Sequence, residues 1–136
     1  MVSPEYLLDT NVISALMKQP QGPLAARISA LEPNVVATSI IVACELRYGA
    51  RRKDSRRLTD QLEKILQSID VLPLEETVDH HYAEIRTSLE QSGKVIGAND
   101  MLIAAHALAL DATLITGNLR EFERVPTLRV ENWMAS

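Results

Sequence analysis

The chain has 136 residues, 46% hydrophobic and 24% charged, which predicts one globular domain over residues 1–136. An aromatic share of 4% argues against a protein that stacks nucleic-acid bases on an aromatic platform, and a net charge of −4 argues mildly against any nucleic-acid partner. With one cysteine, no signal peptide and no long uncharged run, we expect no internal disulfide, no membrane contact and a cytoplasmic location.

The first candidate site residue follows the first predicted strand. Residues 5–8 are predicted to form a short strand, and Asp9 follows directly where its apolar residues end. Ligands of open α/β sheets bind at the carboxyl ends of strands. Asp9 would equally serve as the N-cap of a helix predicted over residues 11–17, so that it becomes a site residue only if other acids approach it. A helix over residues 24–31 and a strand over residues 35–37 are predicted next.

The second candidate acid lies on a helix that is predicted to run to residue 48, with Thr38 or Ser39 as its N-cap and Gly49 as its C-cap. Helical periodicity places Glu45 on the mostly apolar, inward face. A lone carboxylate is costly to bury there without a partner or a metal. Its neighbour Cys44 is predicted to be an inert, buried thiol.

A basic cluster follows this helix. Six basic side chains and one acid fall within residues 47–57. Such a patch could attract phosphates although the whole chain is acidic, which makes Arg51, Arg52 and Lys53 candidate contacts for substrate phosphates. The alternative is a solvated connection between two helices.

The third candidate acid begins an alanine-rich helix. With Asn99 as the N-cap, Asp100 lies in the first turn, where the helix dipole favours an anion. His106, inside the same helix, is expected to be a core histidine. The remaining predictions are a helix from residues 54–55, a strand at 71–72, a helix over 75–91, strands at 113–116 and 128–130, and Trp133 packing the tail.

Alternating strands and helices predict an α/β fold of three layers, with a mainly parallel sheet flanked by helices. Asp9, Glu45 and Asp100 would then meet near one edge of the sheet. Gathered carboxylates need a cation or raised pKa values, and hard oxygen donors select Mg²⁺, with Mn²⁺ as the alternative. The chemistry implied is hydrolysis of a phosphodiester by metal-activated water.

Four motifs together resemble the PIN-domain family, and specifically the VapC-type toxin ribonucleases of bacterial type II toxin-antitoxin pairs. The motifs cover nearly the whole chain in the family's order, and they are Leu-Leu-Asp-Thr-Asn at 7–11, Cys-Glu-Leu-Arg-Tyr-Gly at 44–49, the run from Gly97 to Ala107, and the run from Leu114 to Phe122. The resemblance implies a single PIN-like nuclease domain.

The resemblance also implies roles for individual residues. Asp9, Glu45 and Asp100 would be the catalytic acids, with Asp9 and Asp100 as the metal ligands. Thr116 would support the site by hydrogen bonding. The family's fourth acidic position falls on the neutral Asn118, which puts a second metal in doubt, and Glu121 could compensate.

By the same resemblance the substrate would be RNA, with tRNA as one candidate. The partners would be a second copy of the chain, in a homodimer, and a cognate VapB-like antitoxin that inhibits the enzyme and carries the only contact with DNA.

Two other functions remain open. Asn118 and the acidic net charge are compatible with a weakly catalytic PIN module that binds within a DNA-regulating complex. Phosphorylation of Asp9, as on a receiver-like domain, is the other possibility. The position of Glu45 on a helix, and the absence of a lysine after a late strand, argue against it.

Overall fold

Five short parallel strands form the centre of the structure, a computed structural model that describes residues 3–134. The strand order is β3-β2-β1-β4-β5, and every pairing is parallel. The strands are β1 (Tyr6–Leu8), β2 (Val36–Ser39), β3 (Asp70–Leu72), β4 (Thr113–Ile115) and β5 (Val130–Glu131). The predicted α/β fold is confirmed, with a sheet that is wholly rather than mainly parallel.

The central strand determines where a site can form. Leu8 of β1 pairs with Thr38 of β2 on one side and with Ile115 of β4 on the other. The Thr38 hydroxyl donates to the Leu8 carbonyl over 2.7 Å, and the amide of Asp9 donates to the Ile115 carbonyl over 2.9 Å. The carboxyl ends of the three strands therefore lie side by side, with Asp9 between them. The chain moves outward from β1 in both directions, so this is also a switch point of the topology.

Seven helices surround the sheet within residues 3–134. They are α1 (Thr10–Lys18), α2 (Pro23–Ser29), α3 (Ile40–Lys53), α4 (Arg56–Ser68), α5 (Val78–Ser92), α6 (Ala98–Leu110) and α7 (Leu119–Phe122). None of these helices has the length and apolar character needed to cross a membrane. Alanines 104, 105 and 107 of α6 are fully buried, because small side chains allow close packing against neighbouring elements.

Several helix boundaries differ from the prediction: α2 ends at Ser29 rather than at residue 31, α5 begins at Val78 rather than at residue 75, and two predicted caps lie elsewhere. The third helix does not end at Gly49 but continues to Lys53, and Asp54 closes it in the left-handed conformation with a φ of 49°. Gly97, rather than Asn99, is the N-cap of α6. Glycine and asparagine are only statistical cap signals, and here packing against neighbouring helices outweighs them.

The prediction of which α3 side chains are buried was also wrong in part. Cys44 is exposed, not buried, and Tyr48 is 66% exposed. Val42, Ala43, Leu46 and Ala50 form the buried face instead, and Glu45 lies half-buried at its margin. The error arose because the apolar run around these residues is wider than the helix face that the core covers.

His106 and Trp133 were predicted correctly. His106 is 1% exposed, and its Nδ1 lies 2.8 Å from the Ser39 hydroxyl. Burial lowers the pKa of His106, which keeps the ring neutral in the core. Trp133 packs edge-on against Tyr6, with ring centroids 4.8 Å apart, and the Arg27 guanidinium lies 4.3 Å from the indole centroid.

Trp133→Ala should lower the free energy of unfolding by about 3 kcal/mol, because it removes a buried indole and leaves a cavity against β1. Chemical denaturation followed by circular dichroism measures this. Tyr48→Ala is the control, since its exposed ring should contribute no more than about 0.5 kcal/mol. Equal losses in the two variants would contradict the packing role of Trp133.

Candidate active site

Asp9 is the most buried of the acids in the site. It follows β1 and caps α1, with only 4% of its surface exposed. Its Oδ1 accepts from the Thr10 amide and its Oδ2 from the Thr116 hydroxyl, each over 2.8 Å. Burial raises the pKa of Asp9, these two hydrogen bonds lower it in part, and the charges of Glu45 and Glu121 raise it again. Asp9 therefore caps α1 and also lies near other acids, which is the condition set from the sequence for a site residue.

Thr116 connects the loop after β4 to Asp9. Its hydroxyl donates to Asp9 and accepts from the Asn118 amide over 2.9 Å and from the Asn11 side chain over 3.5 Å. Asn11 also accepts from the Gly117 amide over 3.0 Å. A Cβ at position 117 would lie 3.7 Å from Asn11 Oδ1, an ordinary contact, so this hydrogen bond does not depend on glycine. These contacts agree with the expectation that Thr116 supports Asp9 by hydrogen bonding. Asn11 also contacts Thr116 and Gly117, which was not predicted.

Glu45 reaches the same edge from α3. Its Oε1 accepts from the Thr10 hydroxyl over 2.6 Å, and its Oε2 accepts from the Asn99 side chain over 3.4 Å. Thr10 therefore contacts Glu45 through its hydroxyl and Asp9 through its amide. This places Glu45 beside Asp9 although 35 residues separate Thr10 and Glu45 in the sequence.

Asp100 and Glu121 form a hydrogen-bonded pair across the site. Burial, the hydrogen bond with Glu121 and the charges of Glu121, Asp9 and Glu45 raise the pKa of Asp100 to about 7. Burial also tends to raise the pKa of Glu121, but hydrogen bonds from Asp100, Asn118 and the Gly97 amide outweigh it, so that the net shift is downward. The pair thus retains a proton on Asp100 up to near-neutral pH.

Asn118 lies at the margin of this pair. Its side-chain amide donates to Glu121 Oε2, and its backbone amide donates to Thr116. Asn118 therefore orients a neighbouring carboxylate, and Glu121 supplies the negative charge that the side chain of residue 118 lacks.

The donor set fits a hard divalent cation such as Mg²⁺. The side chains of Asp9, Glu45, Asp100 and Glu121 offer only oxygen. Burial is the largest cause of the raised pKa of Asp100, and the neighbouring carboxylate charges that add to it are charges that a cation would offset. Within residues 3–134, no three acidic, histidine or cysteine side chains already stand together as a metal-binding group. Mg²⁺ commonly uses one or two carboxylates and completes its shell with water, which this arrangement permits.

The predicted RNA-contacting residues do not belong to the acidic cluster. Arg51, Arg52 and Lys53 are exposed in the last turn of α3. Arg51 lines a cavity of about 570 Å³ between α3 and α4, whereas Lys53 lines a separate cavity of about 290 Å³ that includes Glu45. The structure thus separates Arg51 from Lys53, although only one residue lies between them in the sequence.

Comparison with known proteins identifies the family of this chain. The family model described as "PIN domain" matches residues 6–128. The chain is 39% identical over 130 residues to "Ribonuclease VapC2" of Rickettsia felis, covering 94% of this chain and 97% of that protein. This chain is a PIN-domain protein of the VapC ribonuclease toxin type.

Two further comparisons support the assignment of this chain to the PIN-domain family. It is 32% identical to the "tRNA(fMet)-specific endonuclease VapC" of Shigella flexneri, covering 95% of this chain and 98% of that one. The crystal structure of VapBC2 from Rickettsia felis bound to a DNA fragment from their promoter contains a chain that superposes with a TM-score of 0.86 at 36% identity. That match covers 94% of the present chain and 98% of the other.

The structure brings all the predicted site acids of the PIN domain to one edge of the sheet. Asp9, Glu45 and Asp100 interact through their charges, and Glu121 joins them. Three polar residues that hold the site together were not predicted, namely Thr10, Asn11 and Asn99. The first two follow Asp9 directly, so their position after the strand was a usable signal, whereas Asn99 had been interpreted only as a helix cap.

The pH dependence of stability should reveal the repulsion within the site. The folded-state pKa of Asp100 lies near 7 against an ordinary value of 3.8, so its stabilising contribution is complete at acidic pH and is lost as the pH rises through 7. In EDTA, the free energy of unfolding of Asp100→Asn should therefore equal that of the wild type near pH 3.8. At a pH well above the folded-state pKa of about 7, it should exceed that of the wild type by on the order of 1 kcal/mol.

Denaturant unfolding at several pH values measures this difference. Glu84→Gln removes an exposed carboxylate on α5 and should show no pH-dependent gain. A destabilised Asp100→Asn variant at alkaline pH would show that Asp100 stabilises the fold in its ionised form, contrary to the charge repulsion described above.

Proposed function

We propose that this chain is an Mg²⁺-dependent endoribonuclease, the toxin of a type II toxin-antitoxin pair, which hydrolyses RNA phosphodiester bonds. The observation that carries the proposal is the convergence of four carboxylates at the carboxyl end of β1, with the pKa of Asp100 raised to about 7. Membership in the VapC ribonucleases supports it. Mn²⁺ has similar ligand preferences and is the alternative ion.

Each site residue has a role in this proposal. Asp9 and Asp100 would hold the ion, and Glu45, which is anchored by Thr10 and Asn99, would orient and accept a proton from the attacking water. When bound, the ion supplies positive charge opposite the phosphate and makes water more acidic. Thr116 keeps Asp9 in place, and Asn118 acts through Glu121, which it orients.

RNA is the substrate class that we propose, with tRNA as a specific candidate. The Shigella flexneri relative is named a tRNA(fMet)-specific endonuclease. Arg51, Arg52 and Lys53 form an exposed basic turn at the end of α3, and we propose that they attract substrate phosphates. An acidic chain needs such a local cluster, because its net charge of −4 repels RNA.

We propose a VapB-like antitoxin as the partner that inhibits the enzyme. The Rickettsia felis structure is described as VapBC2 bound to a promoter DNA fragment, which supports a complex of this kind for the present chain. DNA contact would come through the antitoxin, and the working toxin would be a homodimer within a toxin-antitoxin hetero-oligomer. A single nuclease domain over residues 1–136 is part of the same proposal.

Neutralising either proposed metal ligand should abolish RNA cleavage without unfolding the protein. Asp9→Asn and Asp100→Asn keep the size and polarity of the side chain but remove the charge that holds the ion. Cleavage of end-labelled tRNA and of longer RNA, with Mg²⁺ or with EDTA, measures the loss. Glu84→Gln is the control and should cut like the wild type. Full activity of either folded Asn variant would remove that residue from the metal site.

One observation favours a second function, that of a weakly catalytic binding module within a DNA-regulating complex. Asn118 is neutral, and no three acidic, histidine or cysteine groups in the described part of the chain are preset around an ion. A binding module would not require metal at the acidic cluster.

Calorimetric titration with Mg²⁺ and Mn²⁺ separates the two functions. The nuclease proposal expects uptake of one ion, with affinity lost in Asp9→Asn and retained in Glu84→Gln, because an amide brings no negative charge to the ion. Absence of uptake at millimolar metal in folded protein, together with intact RNA in every cleavage lane, would favour the binding module.

A further inference from the structure

A groove of about 290 Å³ leads away from the acidic cluster between α1 and α3. Its lining includes Thr10 and Glu45, which are hydrogen-bonded to each other within the site. The groove is therefore continuous with the proposed active site. Its volume is at the lower end of ligand pockets, which are about 300–1,000 Å³.

The groove is lined by two stripes with the same spacing. On α1 the stripe is Thr10, Ser14 and Lys18, and on α3 it is Glu45, Gly49 and Lys53. Residues at positions i, i+4 and i+8 share one face of a helix, and eight residues span about 12 Å. Both lysines thus lie about 12 Å along their helices from the hydrogen-bonded pair at the acidic end.

Gly49 is the unexpected residue of this lining. It lies in the interior of α3, where glycine costs about 1 kcal/mol of helix stability relative to alanine. A Cβ at this position would meet nothing within 4 Å, and the backbone has no positive φ that would require glycine. Neither packing nor conformation explains the glycine. Its effect is to keep the middle of the groove open.

The ends of the groove differ in charge. Lys18 and Lys53 are exposed, and neither forms a salt bridge with an acid within residues 3–134. Apolar side chains of Met17, Leu46 and Leu58 line the space between the ends. A ligand that is anionic at one end, flat or apolar in the middle, and joined to the acidic cluster through its backbone would match this surface.

We propose that the groove between α1 and α3 is a subsite for the RNA strand next to the cleaved bond. A sugar and base would lie over Gly49, and a phosphate would lie between Lys18 and Lys53. This subsite rests on the proposed ribonuclease function and adds Lys18, Ser14 and Gly49 to it. It also separates Lys53, which faces the groove, from Arg51, which lines the cavity on the other side of α3.

Filling the groove tests the proposal without altering the acids. Gly49→Leu places a side chain in the open space and restores helix propensity, so that the fold should be retained or stabilised. It should weaken binding of a short fluorescein-labelled single-stranded RNA, measured by anisotropy in EDTA, by about tenfold or more. Ala83→Leu, which introduces the same side chain at an exposed position on α5 outside the groove lining, is the matched control and should bind RNA like the wild type.

The lysines are tested by a charge-matched pair of double variants. Lys18→Ala with Lys53→Ala should weaken RNA binding and lower the salt dependence of the affinity. Lys64→Ala with Lys94→Ala removes the same charge from exposed positions outside the groove lining and should have a clearly smaller effect. If both double variants weaken RNA binding equally, Lys18 and Lys53 act only through general electrostatic attraction. The proposed phosphate contact would then be wrong.

Cleavage by the wild-type protein distinguishes failure of the subsite from failure of the proposed function. If the wild type cuts RNA in Mg²⁺ and Gly49→Leu cuts and binds equally well, the subsite is wrong and the ribonuclease stands. The groove would then be available to a protein segment instead. If the folded wild type neither binds nor cuts RNA, both proposals fail together.

Discussion

The burial of one carboxylate, that of Asp9, is the constraint on which the site depends. An ionised group in this position loses its contact with water and must be compensated. The Thr10 amide donates a hydrogen bond to Oδ1 of Asp9, and the Thr116 hydroxyl donates one to Oδ2. Because one donor comes from the start of α1 and the other from the end of β4, compensating Asp9 also joins these two elements. The helix cap and the proposed metal ligand are therefore the same residue.

The parallel sheet makes this compensation possible. Leu8 is paired on both sides, so that the residues following β1, β2 and β4 lie along one edge. A shift of register would separate Thr116 from Asp9 and leave the carboxylate without a donor. Asn11 accepts a hydrogen bond from the Gly117 amide and donates one to the Thr116 hydroxyl, and these two bonds also hold the loop after β4 against α1.

The acids illustrate a conflict between stability and function. Asp9, Glu45, Asp100 and Glu121 repel one another, and the structure relieves part of this repulsion by keeping a proton between Asp100 and Glu121. A packed core with fully buried Leu7, Ile103 and Leu114 tolerates that cost. Such an arrangement has no advantage for folding alone, which is why perturbed carboxyl pKa values are associated with functional sites.

The sequence by itself determined the positions of Asp9 and Asp100, whereas the supporting role expected for Thr116 came from the family resemblance. Each of the two acids follows an apolar run or opens a helix, and these are local patterns that a single chain displays. The alternation of strands and helices also predicted the α/β class. The extent of α3 was not predictable in the same way, because Gly49 is a cap signal that packing against α1 and α4 overrides.

Only the tertiary structure decided which side chains touch. The contact of Thr10 with Glu45 spans 35 residues and that of Thr116 with Asp9 spans 107, and no local pattern encodes such distances. The groove beside Gly49 likewise exists only because α1 and α3 start from neighbouring strands and run side by side. Local sequence selects the residue types and the elements, whereas the packing of the elements determines the charges that each carboxylate experiences.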